Sequence, residues 1–98
     1  TTNAVVMQPV LRFNKPAVEH RLADAAAYLG ITGGYDGFYD YVGNLTAALN
    51  IPKNLTDLGV IDPDMDALVA GALIDPSVGG NPTEMTQTNT RALLESCF

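Results

Sequence analysis

Basic residues, cysteine and long hydrophobic runs are all scarce in this sequence. Five lysine and arginine residues stand against eleven aspartate and glutamate residues, so the formal net charge is −6. Nucleic acids and anionic membrane surfaces are bound through a cationic footprint, and its absence argues against both kinds of partner. The one cysteine, Cys97, cannot form a disulfide within the chain, so a reducing cytoplasm is the expected compartment.

The apolar segments are too short to span a bilayer, and the opening Thr1-Thr2-Asn3 lacks the basic start of a secretion signal. Hydrophobic residues still make up 47% of the 98 positions, which suits one small domain with a modest core. We expect part of this apolar content to face a partner surface or a missing part of the same protein. The chain also opens without an initiator Met, directly in an apolar segment, as if cut from something longer.

Hydrophobic spacing predicts an all-α fold of about five or six helices, without strand pairs or repeats. Residues 3–13 read as a buried helix kinked at Pro9; a strand is the alternative, but no partner strand appears. Pro16 is expected to begin a second helix, which Gly30 closes. The most regular stripe follows, at alternating steps of three and four: Tyr35, Phe38, Val42, Leu45 and Leu49.

Capping residues mark the helices of the second half. Asn54 is expected to cap a short helical turn that Gly59 closes. Asp62 is expected to cap the next helix, with Pro63 at its first position, and Thr86 is expected to cap the last helix. The buried faces predicted for these last two helices are Met65, Leu68, Val69 and Ala72 for the first, and Ala92 and Leu93 for the second.

Glycines and tyrosines are unusually frequent around the third predicted helix. Gly37 and Gly43 lie inside it, where each costs about 1 kcal/mol relative to alanine. Close packing against a neighbouring helix is the favoured explanation. Core or rim packing, rather than a binding surface, is likewise favoured for the tyrosine cluster: Tyr28, Tyr35, Tyr39 and Tyr41.

The acids of Asp62-Pro63-Asp64-Met65-Asp66 resemble the first half of a calcium-binding loop. Ala67 stands where that loop needs a glycine for its turn, and Leu73 stands where it needs a bidentate glutamate. Acids also stabilise a helix N-terminus by interacting with its dipole. This second interpretation is favoured.

The remaining candidates for chemistry are weak. The single histidine, His20, lies on a polar helix face and lacks the converging ligands that zinc or iron needs. Cys97 lies near a helix C-terminus, where the dipole disfavours a reactive thiolate. Gly33-Gly34 and Gly79-Gly80 do not follow strands, so neither reads as a phosphate-binding loop. These residues predict a helical domain without catalytic, metal-binding or cofactor-binding side chains.

Two glycines and two prolines interrupt the chain at residues 75–83, DPSVGGNPT, between two predicted helices. With the ALVAGAL run before it, this segment resembles the closing motif of iron-containing (group III) alcohol dehydrogenases. Residues 3–14, NAVVMQPVLRFN, are similar to the helix that follows a His-Gly pair in that family. Residues 51–60, IPKNLTDLGV, are similar to its IP-x-x-L-x-x-x-G-V stretch. The three ordered motifs together cover nearly the whole chain.

The resemblance implies that residues 1–98 are a single, partial helical domain at the C-terminal end of a longer, two-domain oxidoreductase. That family transfers hydride between an alcohol or carbonyl and NAD(P), with a divalent metal, iron or zinc, held by one Asp and three His. The last of those His ligands would lie just upstream of Thr1, and His20 matches none of them. This chain alone is therefore expected to bind neither metal nor nucleotide, and its partner would be the upstream nucleotide- and metal-binding part of the same polypeptide.

Ser77 is the one residue to which the resemblance assigns a site. Family members often carry a cysteine there, close to the substrate pocket, so the Ser77 hydroxyl is expected at the pocket edge; a plain loop serine is the alternative. Thr83 departs from the family, which usually has arginine at that place. A second hypothesis for the whole chain is a stand-alone helical interaction module that forms a homodimer through its apolar first helix and has no catalytic activity.

Overall fold

A computed structural model describes residues 1–98 as five α-helices and one 3₁₀ turn, with no strand. The all-α prediction is therefore confirmed, and so is the expected number of helices. None of the helices is long and apolar enough to cross a membrane. The elements, in chain order, are α1 (Thr2–Tyr28), α2 (Gly34–Ala48), α3 (Leu55–Leu58), α4 (Met65–Ile74), the 3₁₀ turn Val78–Gly80, and α5 (Gln87–Ser96).

The first helix, α1, runs unbroken through both Pro9 and Pro16. The predicted start of a second helix at Pro16 is wrong. Each proline removes one helical hydrogen bond. Contacts with α2 hold the segment that precedes Pro16: the Tyr35 hydroxyl donates to the Leu11 carbonyl at 2.8 Å, and the Arg12 guanidinium donates to the Tyr39 hydroxyl. As predicted, Gly30 follows the end of the helix in the left-handed region, with φ 77°.

Close approach between α1 and α2 depends on glycine. A Cβ at Gly43 would collide with the side chain of Gln8, which instead donates to the Tyr39 carbonyl at 3.3 Å. The predicted reason for Gly43 is thus confirmed. A Cβ at Gly37 would collide with the carbonyl of Thr32, so there the close neighbour is the preceding loop rather than a helix.

The predicted apolar stripe of α2 is buried only in its first half. Tyr35 and Val42 are buried, whereas Leu45 is 46% exposed and Leu49 is 63% exposed. Core positions for these two leucines were the wrong prediction. Because α2 packs against α1 and no other helix, nothing covers the C-terminal half of its stripe.

The core joins the two ends of the chain. Val5 of α1, Leu55 of α3 and Cys97 after α5 form one buried cluster. The Leu55 amide donates to the Cys97 carbonyl at 2.8 Å, and the Thr56 hydroxyl donates to the Phe98 carbonyl at 3.2 Å. Four half-buried side chains pack around the cluster: Val6, Ile51, Leu58 and Phe98.

Two predicted helix caps are confirmed. The Asn54 side chain accepts a hydrogen bond from the Asp57 amide at 2.8 Å, and Gly59 closes α3 with φ 111°. Thr86 begins α5 in a reciprocal capping box with Asn89. These helix ends are local, so a few neighbouring residues determine them.

The fourth helix, α4, begins two residues later than predicted. Asp62 has φ 48°, in the left-handed region, and therefore lacks the extended backbone of an N-cap. Asp64 caps the helix instead, its carboxylate accepting from the Ala67 amide at 3.1 Å. Pro63 consequently precedes the helix, whose first residue is Met65.

Helices α4 and α5 form a second hairpin. Val69 of α4 and Thr90 of α5 are buried, and the Arg91 guanidinium donates to the Asp66 carboxylate. Leu93 is half-buried, as its predicted inward position requires, but Ala92 is exposed, and its predicted inward position is wrong. The buried side of α5 contains Thr90 and is continued by Cys97, because α5 packs against both α4 and α1. Cys97 belongs to the buried cluster with Val5 and Leu55.

The fold leaves much apolar surface uncovered. Only nine of the 98 residues are buried. The accessible surface is 6450 Å², against about 5,400 Å² for a compact monomer of this mass. The Cα radius of gyration is 14.4 Å, against about 12.6 Å for a compact chain of this length. Exposed large apolar side chains include Tyr28, Leu29, Leu49, Ile61 and Ile74.

Replacing Thr90 by valine is expected to stabilise the chain. The Thr90 hydroxyl is buried without a hydrogen-bond partner, and an unpaired buried hydroxyl costs about 1–3 kcal/mol. Valine has nearly the same shape, so Thr90→Val should raise the free energy of unfolding in urea by about 1 kcal/mol. Thr88→Val, at an exposed position of the same helix, is the control and should change stability by less than about 0.5 kcal/mol. A destabilised Thr90→Val variant would contradict the prediction.

Candidate functional site

The first part of the loop between α4 and α5 is held by hydrogen bonds of its own backbone and of one carboxylate. The Asp75 carboxylate, at the end of α4, accepts a hydrogen bond from the Ser77 amide at 2.7 Å. The Asp75 carbonyl accepts from the Val78 amide at 3.1 Å, and the Ser77 carbonyl accepts from the Gly80 amide at 3.0 Å. The chain therefore leaves α4 through one tight turn.

Asn81 is the best-connected side chain of this loop. Its side-chain amide donates to the Thr83 carbonyl at 2.8 Å, and the Met85 Sδ lies 3.2 Å from the same nitrogen. It also donates to the Asn14 Oδ1, while the Asn14 amide donates back to the Asn81 Oδ1, both at 2.9 Å. This reciprocal amide pair joins the loop to the middle of α1.

Asn14 is only 5% exposed, which is unusual for an uncharged amide within a helix. Its burial was not predicted from the sequence. The available signal was its spacing, since Asn14 lies four residues from Val10 and four from Val18, on an otherwise apolar line of α1. Burial of its amide is tolerated because Asn81 satisfies both its donor and its acceptor atom.

A cavity of about 380 Å³ lies beneath the loop, and Ser77 is not among its lining residues. Ser77 is exposed, and its hydrogen bonds with Asp75 and Gly80 are made by its backbone amide and its backbone carbonyl. Its predicted place at the edge of a substrate pocket stays a prediction. The cavity is lined by Leu73, Val78, Gly79, Asn81, Pro82, Thr83, Glu84 and Met85.

The acidic and histidine candidates do not converge. Asp64 caps α4 and Asp66 pairs with Arg91, so the favoured interpretation of these acids, as helix N-terminal residues, is confirmed. His20 is almost fully exposed, and its Nε2 atom lies 3.8 Å from the Asp24 carboxylate. No group of three His, Cys, Asp or Glu side chains is placed to hold a metal ion.

The tyrosine cluster divides between core and surface. Tyr35 is buried and stacks on Tyr39 with ring centroids 6.2 Å apart, so the packing interpretation is confirmed for this pair. The Lys15 ammonium lies 5.0 Å from the centre of the Tyr35 ring. Tyr28 is 91% exposed and Tyr41 is 52% exposed, so neither belongs to the core.

Burial raises the pKa of Tyr35 above its ordinary value of 10.0, and the nearby Lys15 charge opposes part of that rise. Burial likewise raises the pKa of Cys97. Both groups therefore stay neutral at pH 7, and Cys97 is not an activated nucleophile. The Arg12 guanidinium donates to the Tyr39 hydroxyl at 2.8 Å, which completes a structural link between α1 and α2.

The sequence of this chain matches one protein family and several characterised enzymes. The model of the Fe-containing alcohol dehydrogenase family, C-terminal, matches residues 1–98. The chain is 35% identical over 99 residues to 4-hydroxybutyrate dehydrogenase of Cupriavidus necator, covering 97% of this chain and 26% of that protein. It is 33% identical over 99 residues to alcohol dehydrogenase 4 of Schizosaccharomyces pombe, covering 98% of this chain and 24% of that protein.

A third relative is lactaldehyde reductase of Escherichia coli K12, at 31% identity over 91 residues, covering 86% of this chain and 24% of that protein. The chain thus spans about a quarter of the length of the curated relatives it matches. No solved structure shows a significant match to the chain.

Replacing Asn14 by alanine is expected to destabilise the chain, because the Oδ1 atom of the half-buried Asn81 side chain then loses its donor. The expected loss is about 1–3 kcal/mol in the free energy of unfolding, measured in urea. Asn44→Ala, at an exposed position of α2, is the matched control, since both changes gain the same helix propensity. Equal effects of the two substitutions would show that the amide pair contributes nothing.

Replacing Tyr35 by phenylalanine is expected to cost about 1 kcal/mol at pH 8, through loss of the hydrogen bond to the Leu11 carbonyl. The pKa of Tyr35 is higher in the folded chain than in the unfolded chain, where it is near 10.0. The stabilisation that Tyr35 provides is therefore complete below the unfolded-state pKa and is lost as the pH rises through the folded-state pKa. The stability difference between the parent and Tyr35→Phe should therefore shrink between pH 8 and pH 11. A constant or growing difference in urea unfolding would refute this.

Proposed function

The chain belongs to the Fe-containing alcohol dehydrogenase family, and on that premise we propose that it is the C-terminal helical portion of a metal-dependent, NAD(P)-linked alcohol dehydrogenase. The match of the family model to all 98 residues carries this proposal. Hydride transfer between an alcohol and the nicotinamide would belong to the intact polypeptide, and the substrate alcohol is not specified by these residues.

The residues of this chain do not fit a metal site. A divalent metal needs three or four ligands that converge, whereas His20 faces solvent beside a single carboxylate. The glycines of the loop also do not follow a strand, as a dinucleotide-binding turn would require. We therefore propose that the metal, iron or zinc, and NAD(P) are held by the upstream part of the same polypeptide, and that this chain alone binds neither.

The contribution of this chain would be positional. The Asn14–Asn81 pair fixes the loop of residues 75–83 against α1, so that the turn carrying Ser77 has one orientation relative to the start of α1. In this proposal the Ser77 hydroxyl lies at the edge of the substrate pocket that the upstream part completes. A cytoplasmic location is part of the same proposal, supported by the free and buried Cys97.

The alternative, a stand-alone module that dimerises through its first helix, has less support. Val5 is 4% exposed and belongs to the core, and Val6 packs against the same cluster. The N-terminal part of α1 therefore directs its apolar side chains inward. Met7, at 41% exposed, is the most exposed large apolar residue of α1 before Tyr28.

A chimera tests the proposal. The C-terminal quarter of the Cupriavidus necator 4-hydroxybutyrate dehydrogenase would be replaced by this chain, giving the "quarter chimera". We expect the quarter chimera to bind metal and to oxidise 4-hydroxybutyrate with NAD(P), and we expect the isolated 98-residue chain to do neither. The relative truncated before its matched region is the negative control.

Two outcomes would contradict the proposed function. One is a folded quarter chimera without metal-dependent activity. The other is stoichiometric metal or dehydrogenase activity in the isolated chain.

A further inference from the structure

The Asn14 side chain has a single hydrogen-bonding partner. Its amide nitrogen donates to the Asn81 Oδ1, and its own Oδ1 accepts from the Asn81 side-chain amide, both at 2.9 Å. The side chain makes no other hydrogen bond, and Asn14 is only 5% exposed. Whatever Asn14 contributes beyond filling its place in α1 is therefore exerted through Asn81.

Asn14 lies in a firmly held part of α1. On one side of it, the Leu11 carbonyl and the Arg12 guanidinium are each hydrogen-bonded to a side chain of α2. On the other side, the Lys15 ammonium donates to a carboxylate of α2. Because these contacts flank Asn14, its amide is presented to the loop from a fixed backbone.

Asn81 joins the two halves of the loop of residues 75–83. Its backbone amide donates to the Val78 carbonyl at 3.2 Å, which connects it to the 3₁₀ turn before it. Its side-chain amide donates to the Thr83 carbonyl at 2.8 Å, which connects it to the segment after it. The position of Asn81 therefore sets the path of the chain on both sides.

The loop has little packing that could replace the amide pair. The 3₁₀ turn contacts α4 and no other element. A Cβ added at Gly79 or Gly80 would meet no atom within 4 Å. No other hydrogen bond joins residues 75–83 to α1 or α2. Loss of the pair is therefore expected to free the loop from α1, because few buried contacts remain to hold it.

We propose that Asn14 is a positioning residue for the alcohol substrate and that it acts on substrate binding through Asn81. The proposal rests on the proposed function, in which Ser77 lies at the edge of the substrate pocket while the metal and NAD(P) are held upstream. Asn14 sets the place of the turn that carries Ser77, four residues before Asn81. Its loss should therefore weaken binding of the alcohol and leave the metal and the nucleotide in place.

The quarter chimera carrying Asn14→Ala tests the proposal. We expect the KM for 4-hydroxybutyrate to rise about threefold to thirtyfold, because a freed loop contributes less to substrate binding. The kcat, the KM for NAD(P) and the metal content should each change by less than about twofold. Asn14→Leu keeps the buried place filled, and it should give the same rise where the alanine variant folds poorly.

Two control variants separate positioning from a loss of stability. Tyr35→Phe removes a hydrogen bond between α1 and α2 away from the loop, and it is also expected to lower stability. Asn44→Ala changes an exposed position of α2. Neither control should change the KM for 4-hydroxybutyrate by more than about twofold, since neither contacts the loop.

A double substitution shows whether Asn14 acts through Asn81. Asn81→Ala should raise the KM at least as much as Asn14→Ala, because it also removes the hydrogen bond to the Thr83 carbonyl. In the Asn81→Ala background, Asn14→Ala should change the KM by less than about twofold, because the pair is already lost. A full further rise would assign Asn14 a role independent of the pair and would overturn the proposal.

Hydrogen exchange in the quarter chimera measures the loop without reference to catalysis. The Ser77 and Gly80 amides are hydrogen-bonded within the turn. Asn14→Ala should make peptides that cover residues 77–85 exchange at least about threefold faster, whereas Asn44→Ala should leave their exchange unchanged.

Two further results would overturn the proposal: an unchanged KM for 4-hydroxybutyrate in an active Asn14→Ala chimera, and unchanged exchange of the loop in a folded one. The first leaves the proposed function intact, because the parent chimera is active. A folded but inactive parent chimera rejects the proposed function instead, and the exchange rates alone then decide whether Asn14 holds the loop. A parent chimera that does not fold counts against both.

Discussion

The reciprocal amide pair between Asn14 and Asn81 is the interaction on which the arrangement of this fold depends. The chain is built from two helical hairpins, α1–α2 and α4–α5, and this pair joins the middle of the first to the loop of the second. An amide buried without partners would be costly, but here each amide supplies the donor and the acceptor that the other needs. The pair therefore fixes the loop against the middle of α1 through two directional hydrogen bonds.

Local features of the fold could be predicted from sequence, whereas features that depend on distant contacts could not. Asn54 and Thr86 were identified as caps because a cap is satisfied within three residues. The continuity of α1 through Pro16 was missed because the contacts that maintain it come from α2. Leu49 was placed in the core by its spacing, but burial requires a neighbour, and a stripe cannot show whether one exists.

The candidate site likewise combines features that the sequence predicts with features that depend on distant contacts. The order of the three motifs was sufficient to predict the family, because short sequence motifs can be compared without any knowledge of packing. The place of Ser77 at the edge of a pocket stays a prediction, whereas the contact that holds its loop, between Asn81 and Asn14 at a separation of 67 residues, was not predicted. No three His, Cys, Asp or Glu side chains converge in this chain, and the chemistry stays a proposal for the intact polypeptide.

The buried cluster of Val5, Leu55 and Cys97 has a consequence for how the protein forms in the cell. The ribosome releases a chain from its N-terminus, so Val5 emerges long before Cys97. The cluster cannot close until Cys97 has left the exit tunnel, 92 residues after Val5. Its closure is therefore a late, long-range step of folding, because the entropy of closing a long loop opposes a contact of such separation.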